Sequence, residues 1–121
     1  MELRVVRETD RFDEACAFFG ELLGWPVTHG WDDGPHQRGR IFGFGDSARV
    51  ELIEVTPGAA RRIEGVFCSF ECDDVAAVHD RITGADVPID DPLADRPWGH
   101  RSFAVIEPSG MRLVCFQRIS D

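Results

Sequence analysis

The residue types that could do chemistry in this sequence are few and widely spaced. The candidate metal ligands and nucleophiles are His29, His36, His79, His100, Cys16, Cys68, Cys72 and Cys115. The cysteines lie inside apolar periodic segments, which favours small buried residues over a disulfide framework, and one Cys-x-x-x-Cys pair does not make a zinc motif. The sequence also lacks a Ser-His-Asp order, a nucleophile elbow and a phosphate-binding glycine loop. No catalytic or metal-binding motif stands out.

An aromatic residue in a predicted turn is the first candidate for a ligand contact. Trp98 stands between a proline and a glycine, and a loop buries a tryptophan only when something packs over it. We expect Trp98 either to cover the protein's own core or to be a stacking surface for a ligand. His100 is the histidine expected near the same place. Trp31, in the predicted loop Gly30–Pro35, is a candidate for an opposite wall.

Length and charge limit the class of protein. The 121 residues fit a single domain, and the formal net charge is −9 with a pI of about 4.8. An acidic chain is an improbable nucleic-acid binder but tolerates a cationic ligand. No apolar stretch has the length of a membrane span, and the first ten residues lack the form of a signal peptide. We therefore expect no membrane partner and a cytoplasmic location.

The elements that must position these residues occur twice. Each half of the chain follows the order strand, helix, strand, strand, strand, in residues 1–56 and 65–118 with a linker at 57–64. The predicted strands are Leu3–Val6, one starting at Trp25 and Val27, Arg40–Phe44, Arg49–Val55, Val66–Cys72, Val87–Ile89, Ser102–Ile106 and Met111–Phe116. Such self-similarity indicates an internal duplication.

The two predicted helices have matching start and stop signals. Thr9 or Asp10 would cap the first helix, and Asp73 or Asp74 the second. A glycine ends each helix. Their apolar stripes are Ala15, Phe18, Phe19, Leu22 and Leu23 in the first, and Val75, Val78 and Ile82 in the second.

The strands predict a sheet with two different faces. One face is apolar and must take the helices. The other, called the mixed face below, carries Arg49, Glu51 and Ile53 in the first half, and Phe67, Ser69, Glu71, Arg112, Val114 and Phe116 in the second. Aromatic and apolar groups among charges suit a half-sheltered cavity. A second sheet packed over that face would explain the same pattern.

The best-matched segments of the chain are Thr9–Val27 and the PWG…F-A-V-x-E-P-x-G-x-x-L-x-x-F run ending at Phe116. With the duplicated βαβββ order, they resemble the vicinal oxygen chelate superfamily, which includes glyoxalase I, extradiol dioxygenases and bleomycin-binding resistance proteins. The resemblance implies an α+β fold in which two βαβββ modules form a curved mixed sheet around a concave cavity, with helices outside. It also implies a homodimer.

Metal-dependent members of the superfamily have four ligand positions, and the resemblance places them here at Leu3, Glu51, Phe67 and Val114. Only Glu51 has a donor atom, and one carboxylate does not hold a divalent ion. A shift of one residue would bring Glu2 to the first position, but it would also turn the side chain to the opposite face. We therefore predict no metal, no cofactor and no catalytic residue.

The remaining resemblance is to the proteins that bind a drug without transforming it. It implies sequestration of a small, planar aromatic molecule such as an antibiotic, with Trp98 in contact with it. The expected ligand contacts are Trp98, Trp31, Glu51, Phe67, Ser69, His100, Phe103 and Arg112. Positive charge from Arg49 and Arg112 on the mixed face would disfavour a strongly cationic ligand.

Two other functions fit the same sequence. The first is an enzyme, either a metal lyase or dioxygenase with substituted ligands or a metal-free catalyst with Glu51 as general base. An ion pair between Glu51 and Arg112 is the structural alternative for that carboxylate, and the one we favour. The second is an accessory module whose cavity is filled by its own side chains.

Overall fold

The computed structural model describes residues 1–120, which form two compact units, Met1–Arg62 and the part that starts at Ile63. The first module contains β1 (Leu3–Thr9), α1 (Phe12–Ala17) continued by a π-helical turn (Phe18–Leu22), β2 (Val27–Asp32), β3 (Arg38–Phe44) and β4 (Ala48–Glu54). The second contains β5 (Cys68–Glu71), α2 (Val75–Thr83), β6 (Ile89–Asp95), β7 (His100–Ile106) and β8 (Arg112–Arg118). The predicted α+β fold of two βαβββ modules is confirmed. Within residues 1–120, none of the helices is long and apolar enough to cross a membrane.

Each module builds its own four-stranded mixed sheet, and the two sheets have the same strand order. The order is β1-β4-β3-β2 in the first module and β5-β8-β7-β6 in the second. The first strand of each module runs parallel to its last strand, and the other pairs are antiparallel. Because residues directly opposite each other point to the same side, this register assigns every strand residue to a face.

The predicted alternation of buried and exposed residues is present in both sheets. Val50 and Leu52 of β4 are 8% and 0% exposed, whereas their neighbours Arg49, Glu51 and Ile53 are partly exposed. On β8 the buried residues are Leu113 and Cys115, and Arg112, Val114 and Phe116 alternate with them. Each helix packs on the buried side of its own sheet. The mixed face is therefore the side without a helix.

The start of α2 follows its predicted signal, since the Asp74 carboxylate caps the helix by accepting from the Ala77 N–H at 3.2 Å. The predicted cap of α1 is wrong, because its N-cap residue is Arg11 and no side chain caps it, and the Thr9 hydroxyl accepts from the Arg11 N–H at 3.0 Å instead. The first helix does not stay α-helical to Leu23, because its last turn widens into the π form. Gly24 follows at φ +72°, the left-handed conformation expected of a helix-ending glycine.

The sixth strand is displaced from its predicted position. The pattern indicates a strand at Val87–Ile89 that gives way to acidic residues and Pro92, but β6 begins at Ile89 and continues to Asp95. It is an edge strand whose pairing with β7 shifts register twice. Edge strands with such irregularities accommodate a proline, since its missing N–H need not join the ladder.

Candidate functional site

Trp98 sits at the tip of the hairpin that joins β6 to β7. The Arg96 N–H donates to the His100 carbonyl at 2.6 Å, and the Gly99 N–H donates to the Arg96 carbonyl at 3.1 Å. Gly99 closes this loop at φ +86°, which favours glycine. Trp98 is 66% exposed, so the interpretation of it as a lid over the protein's own core is wrong. Its ring is available for contact with another molecule.

The mixed face of the second module brings two of the predicted contacts together. The guanidinium carbon of Arg112 lies 4.8 Å from the ring centroid of Phe67, a cation–π distance. Its Nε donates to Asp90 Oδ2 at 2.7 Å. Ser69 is exposed and lies opposite Val114. Phe67 itself is 55% exposed, so the contact with Arg112 leaves much of its ring open.

Farther along the same face, side chains of β7 and β8 pack against one another. The His100 and Phe116 rings stack with centroids 4.4 Å apart and planes within 9°. Arg96 crosses to the Ser102 hydroxyl, with its Nε donating at 3.0 Å. His100 thus has a ring partner within its own module, and Phe116 is the aromatic residue that holds it.

The assignment of Phe103 as a ligand contact is wrong. Phe103 is 0% exposed and lies opposite Cys115, so it points to the buried side of the sheet. There it meets the His79 ring of α2 edge-on at a centroid distance of 5.0 Å. Phe103 is therefore a core residue that positions the helix.

Trp31 lies on a strand and not in a loop, which corrects the predicted position. It belongs to β2, directly opposite Gly39, and Gly39 lies opposite Ile53 of the mixed face. A Cβ atom added at Gly39 would come within 2.0–2.3 Å of three indole atoms. The indole therefore rests against the backbone of β3, in space that only glycine leaves free.

Trp31 shares the mixed face of the first module with His29 and Glu51. His29 lies opposite Ile41, and Ile41 lies opposite Glu51. The His29 ring centroid is 6.2 Å from that of Trp31. Sequence reasoning missed Gly39 and His29 as parts of this surface. Gly39 itself was the sequence signal for this surface, because an isolated glycine inside a strand often marks a close approach to the backbone.

Arg4 occupies the corner of this face where the sequence interpretation placed a lost metal ligand. Val6 lies opposite Glu51, so even-numbered β1 residues share its face and Leu3 points the other way. The ligand position predicted at Leu3 is therefore wrong by one residue. Asp73 and Phe67 are six residues apart, and the same interval from Asp10 leads to Arg4. Glu2 binds the Arg4 guanidinium on this face too, so the prediction that it points to the opposite face is wrong.

The Arg4 guanidinium joins both carboxylates of this corner. Its Nη1 donates to Glu51 Oε1 at 2.8 Å, and its Nε donates to Glu2 Oε1 at 2.9 Å. The hydrogen bond from Arg4 lowers the pKa of Glu2. Glu51 is nearly enclosed, with 14% of its side chain exposed. A cation is thus already present between these carboxylates, and it is a side chain of the protein.

The other charges of the mixed faces also have partners within their own modules. Arg49 donates to the Ala48 carbonyl at 2.7 Å and to the Gly45 carbonyl at 3.3 Å, and its Nε lies 3.7 Å from Glu2 Oε2. The favoured Glu51–Arg112 pair is replaced by Arg4–Glu51 in one module and Asp90–Arg112 in the other. The objection to a cationic ligand is weakened, because neither Arg49 nor Arg112 is an uncompensated charge.

The side chains at the four ligand positions do not suit a divalent metal ion. Of the four positions on the mixed faces, Arg4 is a cation, Phe67 and Val114 have no donor atom, and Glu51 is bound by Arg4. Throughout residues 1–120, no three His, Cys, Asp or Glu side chains come together in a way that would hold a metal ion. We therefore assign no chemistry to a metal in this protein.

The cysteines do not form a reactive centre. All four are free thiols; Cys115 is buried and the others are half-buried. Burial raises the pKa of Cys16 and of Cys72 to about 11. At neutral pH these thiols are protonated and poor nucleophiles.

Comparisons with known proteins agree with this architecture. The family model of the Glyoxalase/Bleomycin resistance protein/Dioxygenase superfamily matches residues 4–114. No curated protein sequence gives a significant match. Three solved structures show the same fold at low sequence identity. A superfamily member from Sphaerobacter thermophilus DSM 20745 has 19% identity and a TM-score of 0.74, covering 98% of this chain and 97% of its own.

The other two differ in what they do. TnmS3, an antibiotic-binding protein from Streptomyces sp. CB03234, has 21% identity and a TM-score of 0.72, covering 98% of this chain and 95% of its own. Lactoylglutathione lyase from Agrobacterium tumefaciens has 18% identity and a TM-score of 0.67, covering 97% and 92%. The fold alone therefore does not decide between binding and catalysis. The family match over most of the chain shows that this protein belongs to the Glyoxalase/Bleomycin resistance protein/Dioxygenase superfamily.

Proposed function

We propose that this protein binds and sequesters a small organic molecule with planar aromatic rings, such as an antibiotic, and does not transform it. Exposed rings on the mixed faces supply the contact area, and the paired charges supply orientation. One structural neighbour is an antibiotic-binding protein, which supports the proposal at the level of the fold.

The placement of Trp31 against Gly39 is the observation that carries this proposal. A tryptophan held against a glycine backbone loses little further side-chain entropy when a flat ligand stacks on it. Offset stacking adds about 1 kcal/mol per aromatic pair beyond the area buried. His29, beside the indole, offers a hydrogen-bonding group at the edge of such a ligand.

The pairing of Glu51 with Arg4 supports binding over catalysis. A general base needs a lone pair directed at the substrate, whereas Oε1 of Glu51 accepts a hydrogen bond from Arg4 at 2.8 Å. The same guanidinium also binds Glu2, whose other oxygen lies 3.7 Å from Nε of Arg49. This corner thus holds a fixed surface of paired charges on the same face as the indole.

A titration of planar aromatic antibiotics, followed by intrinsic tryptophan fluorescence, tests the proposal. We expect quenching by at least one compound and a loss of affinity of about tenfold or more for Trp31→Ala, from lost stacking and buried area. Trp25→Phe is the matched control, since Trp25 packs on Phe19 and Phe44 with centroids 5.4 and 5.0 Å away. It should leave the affinity unchanged.

Two results would contradict the proposal. One is the absence of quenching across a broad panel that includes anionic, neutral and cationic compounds. The other is a stoichiometric transition metal bound to protein purified without chelator, with turnover of a bound compound. That second result would favour the metal-dependent lyase or dioxygenase alternative.

We also propose that the protein is a homodimer. The edge strand β1 carries two exposed apolar residues, Leu3 at 74% and Val6 at 49%. Apolar side chains on sheet edges favour association. Size-exclusion chromatography with light scattering should give twice the 13.5 kDa chain mass. A monomer at micromolar concentration would contradict this proposal.

A further inference from the structure

A concavity lies wholly within the second module, where the end of the β7–β8 hairpin meets the residues that precede β5. Its volume is about 320 Å³ and its lining is Ile63, Gly65, Val66, Phe67, Ile106, Gly110 and Arg112. That volume is near the lower end of the range for small-molecule pockets and suits a one- or two-ring compound.

The wall of this pocket is apolar except for a single cation. Val66, Phe67 and Ile106 are 66%, 55% and 38% exposed, so the apolar surface is open to a ligand. Arg112 is the charged residue of the lining, and 32% of its side chain is exposed. An apolar wall with one charged group is the usual composition of a site that orients an amphipathic molecule.

The guanidinium of Arg112 is held in place, but within residues 1–120 only some of its N–H donors are hydrogen-bonded. Phe67 supports one face of it at 4.8 Å, and Asp90 accepts from its Nε at 2.7 Å. In residues 1–120 its two terminal nitrogens have no hydrogen-bond partner. These two N–H groups form the fork that a carboxylate binds through both of its oxygens. Asp90 holds the arginine in place without occupying that fork.

We propose that this pocket binds the carboxylate of a small aromatic acid, with the carboxylate on the Nη atoms of Arg112 and the ring against Phe67 and Ile106. The inference goes beyond the proposed function, since it assigns an acidic aromatic compound to a separate site. It uses none of the residues around Trp31.

Calorimetric titration with 2-naphthoate and its uncharged isostere 2-naphthamide tests the inference. We expect wild-type protein to bind the acid about tenfold more tightly than the amide, as a charge-assisted bidentate contact would give. Arg112→Gln should remove this preference. Phe67→Ala should weaken both compounds to a similar degree.

Arg118→Gln is the matched control. Arg118 is on the same strand and pairs with Glu71 at 3.2 Å, but 69% of its side chain is exposed and it is not part of the pocket lining. It should leave the preference for the acid intact. Equal binding of the acid and the amide, or an unchanged preference in Arg112→Gln, would overturn the inference.

The two proposals fail in different ways. Trp31→Ala should not change the affinity for 2-naphthoate if the pocket at Arg112 is the site. If 2-naphthoate does not bind while antibiotics still quench in a Trp31-dependent manner, the inference is wrong and the proposed function stands. If 2-naphthoate binds but no antibiotic does, the inference stands and the proposed function is wrong.

Discussion

Replacing Glu107 with alanine is expected to lower the free energy of unfolding by about 3 kcal/mol, since hydrogen bonds to a buried charge are the costly ones to lose. Glu107 is 1% exposed in the turn between β7 and β8. Its carboxylate accepts from the Ser109 N–H at 2.8 Å, from the Met111 N–H at 3.1 Å and from the Ser109 hydroxyl. Alanine would leave these buried donors without that acceptor. Denaturant unfolding followed by circular dichroism measures the change.

Two further variants separate the role of this carboxylate from a general effect of losing a glutamate. Glu107→Gln keeps one acceptor oxygen and should cost about half as much. Glu71→Ala removes a glutamate that is 48% exposed and paired with Arg118, and should cost less than about 1 kcal/mol. If Glu107→Ala were no more destabilising than Glu71→Ala, the carboxylate would not hold the turn. The effect also bears on ligand binding, since this turn sets the start of β8 and hence the position of Arg112.

The sequence was a good guide to the faces of strands and a poor guide to the partners of charged groups. Alternation of side chains follows from the pleat of a strand, so Leu52 and Leu113 could be assigned to the core without a structure. An ion pair depends on long side chains with many rotamers. Arg4 and Arg112 each reach a carboxylate on another strand, and nothing in the spacing distinguishes Arg4–Glu51 from Glu51–Arg112.

Intervals along the chain predict the wrong register at two residues. The sequence predicts Leu3 on the mixed face, but a difference of one residue selects the opposite side of β1. It predicts Phe103 as a ligand contact, but the register of β7 against β8 places this residue opposite Cys115, on the buried side. Turn length alone did not fix that register, because five residues separate Ile106 from Arg112 and such loops are varied.

The contact of the Trp31 indole with Gly39 cannot be predicted from the sequence pattern. The predicted loop Gly30–Pro35 contains two glycines, two aspartates and a proline, which are typical of turns. In the structure β2 continues through Trp31 to Asp32 because β3 pairs with it to Arg38. Tertiary pairing thus overrides the local propensity, and it creates the surface on which the proposed function rests.

Replacing Arg4 with histidine is expected to create a divalent-ion site between Glu2 and Glu51, where residues 1–120 of the natural chain have none. The long guanidinium now lies between Glu2 and Glu51 and binds both, while Nε of Arg49 lies 3.7 Å from the other oxygen of Glu2. A shorter imidazole would leave that space to an ion and add a nitrogen donor to the two carboxylates, which makes three ligands of the kind zinc uses. Calorimetry with Zn²⁺ or Ni²⁺ should show binding about 100-fold tighter than to wild type, since a nitrogen ligand is gained and a competing cation is lost.

Arg4→Ala removes the cation without adding a donor and should give a smaller gain, and Glu51→Gln in the Arg4→His background should abolish binding. If wild-type protein held the ion as tightly as Arg4→His, the guanidinium would not occupy the cation position, and the proposed function of binding without a metal would be contradicted.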